Sequence, residues 1–226
     1  MLSVNNKLWV EKEASHNLVE LLVAKHNISY VAAKVLLNRG ITPDNSEEFF
    51  SAKLKYSMPN PYTIKDIDKG MAVIKNTILQ QEPICILGDY DVDGMCSTAL
   101  LYKYLQIINN NVTYYIPNRF SEGYGGNENS LSAVLQQNPK LIIMVDNGST
   151  SYDFVSALVA QGKNVIIIDH HAIEPNMPSA NAVINPARLD DNSNLSYLCS
   201  AGLVFLFLVA LNRELINCGF LSKENA

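Results

Sequence analysis

A chain of 226 residues, 48% of them hydrophobic, is long enough to bury one large core and too apolar to be disordered. Its net charge of −5 provides no global basic field, so any polyanionic substrate must be drawn in locally by bound metal and a few Lys or Arg. Four cysteines, Cys85, Cys96, Cys199 and Cys218, have no C-x-x-C spacing, which argues against a zinc cluster and suits reduced thiols in the cytoplasm.

The first residues, Met1 to Ser15, carry Lys7, Glu11, Lys12 and Glu13 and lack the apolar stretch of a signal peptide. Leu18, Leu21 and Leu22 then form one helical stripe and Val31, Val35 and Leu36 a second, with Gly40 as a stop after Asn38-Arg39. Pro59 and Pro61 break the periodicity, so residues 1–60 are expected to form a helical N-terminal segment and 61–226 the main domain. Thr63 with Asp66 resembles a capping box opening a helix whose apolar face is Ile64, Ile67, Met71, Ile74 and Ile78.

From Pro83 onward, short apolar strands alternate with helical patterns: Ile84 to Leu87, Met95 to Ile108, Val112 to Ile116, Asn129 to Gln137, Leu141 to Val145, Tyr152 to Gln161, Val165 to Ile168 and Ala182 to Ile184. Repetition of strand then helix predicts right-handed βαβ units, hence an α/β fold with a mostly parallel sheet and flanking helices. Leu195 to Leu211 is the most apolar stretch, but it contains Ser196 and Ser200 and falls short of the ~20 residues that span a bilayer, so it reads as a buried helix and no membrane role is expected. No glycine-rich dinucleotide or P-loop pattern follows any strand.

Three of these strands run directly into metal-type ligands. Ile84 to Leu87 leads to Asp89-Tyr90-Asp91-Val92-Asp93-Gly94, Leu141 to Val145 to Asp146-Asn147-Gly148, and Val165 to Ile168 to Asp169-His170-His171. The first cluster matches a calcium loop through its glycine, but the twelfth position is Leu100 where that loop needs a bidentate Glu, and a strand precedes it where a helix should. A solvated acidic turn would explain one such cluster and leaves three unexplained. In open α/β sheets ligands bind beyond the carboxyl ends of the strands, which gathers all three clusters into one site. Neighbouring side chains diverge in an extended segment, so His170 and His171 can serve different partners, one a metal and the other a substrate oxygen or second metal.

On these motifs the chain resembles the DHH phosphoesterase superfamily, named for an Asp-His-His seen here as Asp169-His170-His171. Asp91-x-Asp93 fits its first motif and Asp146 its third. Within it, Leu87 to Gly94, Tyr115 to Gly125 and Val145 to Gly148 are similar to the RecJ branch of single-stranded-DNA exonucleases, as are Ala201-Gly202-Leu203-Val204-Phe205 and Leu36-Leu37-Asn38-Arg39-Gly40. The resemblance implies a phosphodiesterase with two metals, manganese or magnesium, that removes nucleotides from the 5′ end of single-stranded DNA in repair and recombination. It further implies that Asp91, Asp93, Asp146 and His170 are metal ligands, that Asp89 lies beside them, and that His171 contacts the scissile phosphate. Arg119 would hold a substrate phosphate, and Tyr124 would stack on a base or serve only as part of a turn.

RecJ-like enzymes supply a further aspartate from a strand after the helix expected at about Ser200 to Asn217. Beyond Asp191 the only acids here are Glu214 and Glu224, and neither matches. The chain is therefore expected to be the N-terminal portion of a longer enzyme, with the missing domains on another chain as one possibility, and to be nearly inactive alone. Phosphodiesterases for short RNA or cyclic dinucleotides, a pyrophosphatase and a catalytically silent protein are the competing readings. The loop from Arg119 to Gly125 and the helical N-terminal segment favour the RecJ branch.

Overall fold

The computed structural model describes residues 3–8, 10–51, 53–109, 111–122 and 126–222. Its contacts divide the chain into two compact units, Met1–Pro59 and Asn60–Ala226.

The first unit holds α1 (His16–His26), α2 (Tyr30–Asn38), α3 (Ser46–Ser51) and α4 (Leu54–Ser57). Asn27 ends α1 in the left-handed region at φ 51°, and Ser29 caps α2 by accepting the Ala32 N–H. The residues buried between α1 and α2 are Val19, Leu22 and Ala33, with Ala14, Val23, Ile28 and Leu37 against them. This corrects the expected stripes, since Leu21, Val31 and Val35 are exposed. Small Ala33 allows α2 to approach α1 on the face next to the valines, which apolar periodicity alone could not reveal. Gly40 does take the left-handed stop conformation, at φ 85°, with its N–H on the Leu37 carbonyl.

The second unit begins with a 3-10 turn at Pro61–Thr63 and α5 (Ile67–Leu79). The expected capping box does not form: the Thr63 hydroxyl donates to the Asn60 carbonyl, and Asp66, although at the N-cap, makes no side-chain cap bond. Its carboxylate instead pairs with Lys69 and with the buried Arg188, whose guanidinium also bonds the Val183 carbonyl and Asp190. Ionic pairing thus takes the oxygens that capping would have used. The apolar face of α5 is as expected, with Ile67, Met71, Ile74 and Ile78 all buried.

The sheet contains β1 (Ile84–Leu87), β2 (Val112–Tyr115), β3 (Leu141–Val145), β4 (Asn164–Ile168) and β5 (Ala182–Ile184), all parallel in the order β2-β1-β3-β4-β5. Helices α6 (Val92–Ile108), α7 (Glu128–Gln136), α8 (Tyr152–Ala160) and α9 (Ser200–Asn217) cover it. Strands wrapped on both faces read as unbroken apolar runs, and β1 and β3 are buried throughout. Alternation sends Cys85, Leu87, Ile142, Met144, Val165 and Ile167 toward Val134 of α7 and Phe154, Val155 and Leu158 of α8. On the other side α9 packs between α5 and α6 and all three lie on the sheet, with Gly70 of α5 letting Ile184 and Phe207 close over it. Helix α9 has the length and hydropathy of a membrane span, yet half of that window is buried inside this layer, including Leu203, Phe207 and Leu211.

Candidate metal centre

Register determines what meets at the carboxyl edge of the sheet. Leu87 pairs with Tyr115 and Met144, Val145 with Ile168, and Ile168 with Ile184, so the strands end side by side. The residues that follow them, at 88–93, 116–119, 146–149, 169–171 and 185, therefore leave the sheet at one edge.

After β1 the chain turns within a few residues into α6. Asp91 is the N-cap, its Oδ1 accepting the Gly94 N–H at 3.0 Å. Glycine is needed at 94 because a Cβ there would stand 2.6 Å from the Cβ of Asp89. That close packing buries Asp89, which is only 4% exposed. Burial pushes the Asp89 carboxyl up and Asp91 adds to the rise, against the Tyr90 N–H, His171 and Arg119.

At the end of β3, Asp146 adopts φ 61°, an uncommon conformation for a residue with a side chain, and its N–H bonds the Ile168 carbonyl at 3.0 Å. Asn147 locks the turn through Nδ2, which donates to the carbonyls of Leu87 and Val145. Asp146 is almost fully buried, and burial together with Asp93 and Asp91 pushes its carboxyl up to about 7, although Ser200 and His171 act against the rise.

After β4, the two histidines do not diverge as expected: their ring centroids lie 4.6 Å apart, and a ligand atom of each comes within 4.8 Å of the other's and of one on Asp146, because the chain leaves the extended conformation once the strand ends. Nε2 of His170 lies 3.3 Å from Oδ1 of Asp146 and 3.6 Å from Oδ2 of Asp93. Nδ1 of His171 lies 2.7 Å from Oδ1 of Asp169. Asp169 is buried and receives the N–H groups of Ser149, His170 and His171 as well. Burial alone would raise its pKa, but the bonds from Ser149 and His171 overcome it and hold the carboxyl below the usual range. Burial likewise opposes protonation of His171, and the Asp169 bond with the charges of Asp169, Asp146 and Asp89 outweighs it and raises that imidazole.

Among the described residues, two groups of three have ligand atoms mutually within 4.8 Å: Asp89 with Asp91 and Asp146, and Asp146 with His170 and His171. Asp146 is common to both. A buried carboxylate surrounded by other carboxylates, facing an imidazole nitrogen, is a donor set of hard oxygens and borderline nitrogen that fits manganese and accommodates magnesium. Asp93 is placed differently from the others. Its two oxygens accept the N–H groups of Ser200 and Ala201 at the start of α9, both at 2.8 Å, which leaves about two of the four acceptor directions of a carboxylate for a cation.

Arg119 is exposed at the end of the β2 segment, with its guanidinium carbon 5.1 Å from the centre of the Tyr90 ring. Glu122 braces this loop by accepting the Tyr115 hydroxyl at 2.7 Å and the Asn118 N–H at 3.0 Å. Tyr124 lies outside the described residues. Sequence reasoning left several contributors unassigned: Asp169 as the partner of His171, Glu122 as the loop brace, and Asn185, whose Nδ2 joins the Ser149 hydroxyl to the His171 carbonyl. The signal for Asp169 was its place inside a ligand motif; Asn185 had only its position just past a strand end.

Residues 83–223 match the DHH family, N-terminal domain. The chain is 32% identical over 207 residues to the single-stranded-DNA-specific exonuclease RecJ of Bacillus subtilis, a match covering 92% of this chain and 26% of that protein. It is 31% identical over 163 residues to the enzyme of the same name from Escherichia coli, covering 72% of this chain and 28% of that one. Among solved structures, exonuclease RecJ bound to manganese superimposes with a TM-score of 0.62 at 31% identity, over 67% of this chain and 38% of that one. RecJ in complex with Mn2+ from Thermus thermophilus gives 0.68 over 89% of this chain and 28% of that one; at 24% identity it speaks for the fold alone. The chain thus spans roughly a quarter of the length of these curated relatives, at 26% and 28%.

Proposed function

The chain belongs to the DHH family, and on that premise we propose that its second unit is the metal-dependent core of an exonuclease that hydrolyses single-stranded DNA from the 5′ end, in the cytoplasm, during repair and recombination. The observation that carries this reading is the convergence of Asp89, Asp91, Asp146, His170 and His171 from three strand ends, with ligand atoms mutually within 4.8 Å in each of two groups sharing Asp146.

Asp91, Asp93, Asp146 and His170 are assigned as the ligands of manganese or magnesium, with Asp89 beside them. A pair of such cations supplies an activated water and a charge clamp on the attacking and leaving oxygens of the phosphodiester. The protein's own groups do the rest. His171, whose protonated form Asp169 favours, is suited to donate a hydrogen bond to a phosphate oxygen. Arg119 has a guanidinium free to grip a second phosphate in bidentate fashion while Tyr90 supports its plane. Regions of the relatives beyond the matched part are proposed to supply more of the DNA-holding surface, on the same polypeptide or a separate one.

The test is a manganese titration by calorimetry of the wild type and Asp146→Ala, followed by incubation with 5′-labelled and 3′-labelled oligonucleotides. Binding that Asp146→Ala abolishes, with mononucleotides released from the 5′ end of single strands, is the expected result. Equal binding by both proteins, or preference for duplex DNA or cyclic dinucleotides, would overturn it.

A further inference from the structure

Asn185 follows β5 directly and is fully buried, so its amide must find partners inside the protein. Its Oδ1 accepts the Ala187 N–H at 2.8 Å, a turn that an aspartate or a serine would also form. The amide nitrogen does what neither of those could. It donates to the Ser149 hydroxyl at 2.8 Å and to the His171 carbonyl at 2.9 Å, so both of its N–H groups are engaged by segments that leave β3 and β4, 36 and 14 positions earlier. An aspartate has the same shape and no donor.

Ser149 in turn gives its backbone N–H to Oδ2 of Asp169 at 3.1 Å, and Oδ1 of Asp169 lies 2.7 Å from Nδ1 of His171. One side chain therefore supports His171 at both ends, at the carbonyl directly and at the ring through Ser149 and Asp169. Support of this kind is needed because the His171 side chain is 47% exposed: packing cannot hold the ring, and hydrogen bonds must.

We propose that Asn185 is a positioning residue for His171, its amide fixing the backbone of that residue and, through Ser149, the carboxylate that orients its imidazole. The proposal rests on the reading of His171 as the group that meets a phosphate oxygen of the strand. Among the described residues the side-chain bonds of Asn185 go to Ser149, His171 and Ala187 and to none of the four assigned metal ligands, so its loss should separate the imidazole from the cation site.

The experiment uses the full chain as wild type, Asn185→Ala, Asn185→Asp, Ser149→Ala, His171→Ala and the double variant Asn185→Ala with His171→Ala. NMR relaxation of the imidazole C–H groups in the metal-free protein reads the order of each ring, and calorimetry reads manganese binding. Fluorescence anisotropy in manganese reads binding of a 5′-phosphorylated oligothymidylate, whose integrity is checked on a gel. Asn185→Ala and Asn185→Asp should make an ordered His171 ring mobile while the His170 ring is unchanged and manganese affinity stays within about twofold of wild type. Ser149→Ala, which keeps the N–H to Asp169, should loosen the ring in part. Oligonucleotide binding should fall roughly tenfold in Asn185→Ala, and the double variant should bind no worse than His171→Ala alone. If Asn185→Ala does not fold, Asn185→Asp and then Ser149→Ala decide by the same signals. A His171 ring as ordered in the variants as in wild type would refute the positioning role. So would a loss of manganese affinity as large as the loss of oligonucleotide binding, which marks general disruption of the strand ends. A mobile ring beside undiminished oligonucleotide binding by His171→Ala would uphold Asn185 as the partner that positions His171 and overturn the phosphate contact assigned to His171.

Discussion

Oδ1 of Asp169 stands 2.7 Å from Nδ1 of His171 and also receives the backbone N–H groups of His170 and His171, so one buried oxygen sets both the path of the chain and the orientation of the imidazole. With Nδ1 engaged, the proton that His171 can present to a substrate oxygen is the one on Nε2.

This pairing gives the fold a defined pH window. The Asp169 carboxyl is held below its ordinary value of 3.8, so its contribution is present above that value and is lost as pH falls through the lower folded pKa. The His171 imidazole is held above its ordinary value of 6.5, so its contribution is complete below that value and fades as pH rises through the higher folded pKa. The pair is at full strength between 3.8 and 6.5. Asp169→Asn should bring the His171 titration midpoint, measured by NMR of the ring protons, back to or below the ordinary value and cost about 1–3 kcal/mol of stability through the poorer acceptance of three N–H groups. A midpoint that does not move would show that Asp169 does not govern His171.

Asp146 is expected to weaken the metal-free fold. Its carboxyl, raised to about 7, keeps in the folded state a proton that the unfolded chain releases near 3.8, so stability falls as pH rises across that interval. Asp146→Asn should therefore raise the stability of the metal-free protein at pH 8 by on the order of 1–3 kcal/mol. Manganese should then raise the unfolding temperature of the wild type and have no effect on the variant. Thermal unfolding with and without the ion checks both halves. A variant less stable than wild type without metal would contradict this account, in which burial first and the charges of Asp93 and Asp91 second penalise the ionised carboxylate.

Arg119 and Glu122 should separate in their effects. Arg119→Ala removes the proposed phosphate contact while sparing the proposed ligands, so it should weaken binding of a 5′-phosphorylated single strand, reduce the salt slope of that binding by about one unit, and leave manganese affinity unchanged. Glu122→Gln keeps one acceptor oxygen for Tyr115 or Asn118 and should produce a smaller loss than Glu122→Ala, which removes both contacts. Fluorescence anisotropy over a salt series measures each. An unchanged salt slope for Arg119→Ala would remove it from the DNA contact.

The strand ends were legible because the information is local. Ile84 to Leu87 and Leu141 to Val145 are unbroken apolar runs that stop at acids, and a parallel sheet leaves one edge for those acids to share. The Asp169 contact to His171 spans two residues and sits inside the motif that drew notice. What could not be read depends on packing between distant segments. Asp93 faces the start of α9 only because α6 and α9 lie side by side, and nothing near Ser200 in sequence announces it. Likewise, Asp66 looked like a cap residue until the buried Arg188, 122 positions later, claimed its carboxylate. In the first unit the stripe of leucines and valines misled because small Ala33 occupies the inner face, and a helix pair with so few buried side chains has a weak pattern.

Gly88 separates β1 from Asp89 and has no room for a side chain. A Cβ there would lie 2.0 Å from Oγ1 of Thr98 on α6 and 3.4 Å from Ile116. Thr98 is itself only 3% exposed, so it cannot swing away, and Gly88→Ala must displace α6 or the turn that presents Asp89 and Asp91. Overpacking of this kind costs about 1–3 kcal/mol. Among the described residues the Thr98 hydroxyl has no hydrogen-bond partner, so Thr98→Ala alone should be nearly neutral in hydrogen bonding and lose only a methyl group of packing. The double variant Gly88→Ala with Thr98→Ala should therefore recover most of the stability lost by Gly88→Ala, giving a coupling of about 1–2 kcal/mol in a double-mutant cycle. Manganese affinity should follow the same order, falling in Gly88→Ala and returning in the pair, because the displaced segment carries the first two acids of the site. Additive losses in the cycle would show that Gly88 is required for a reason other than the close approach of α6.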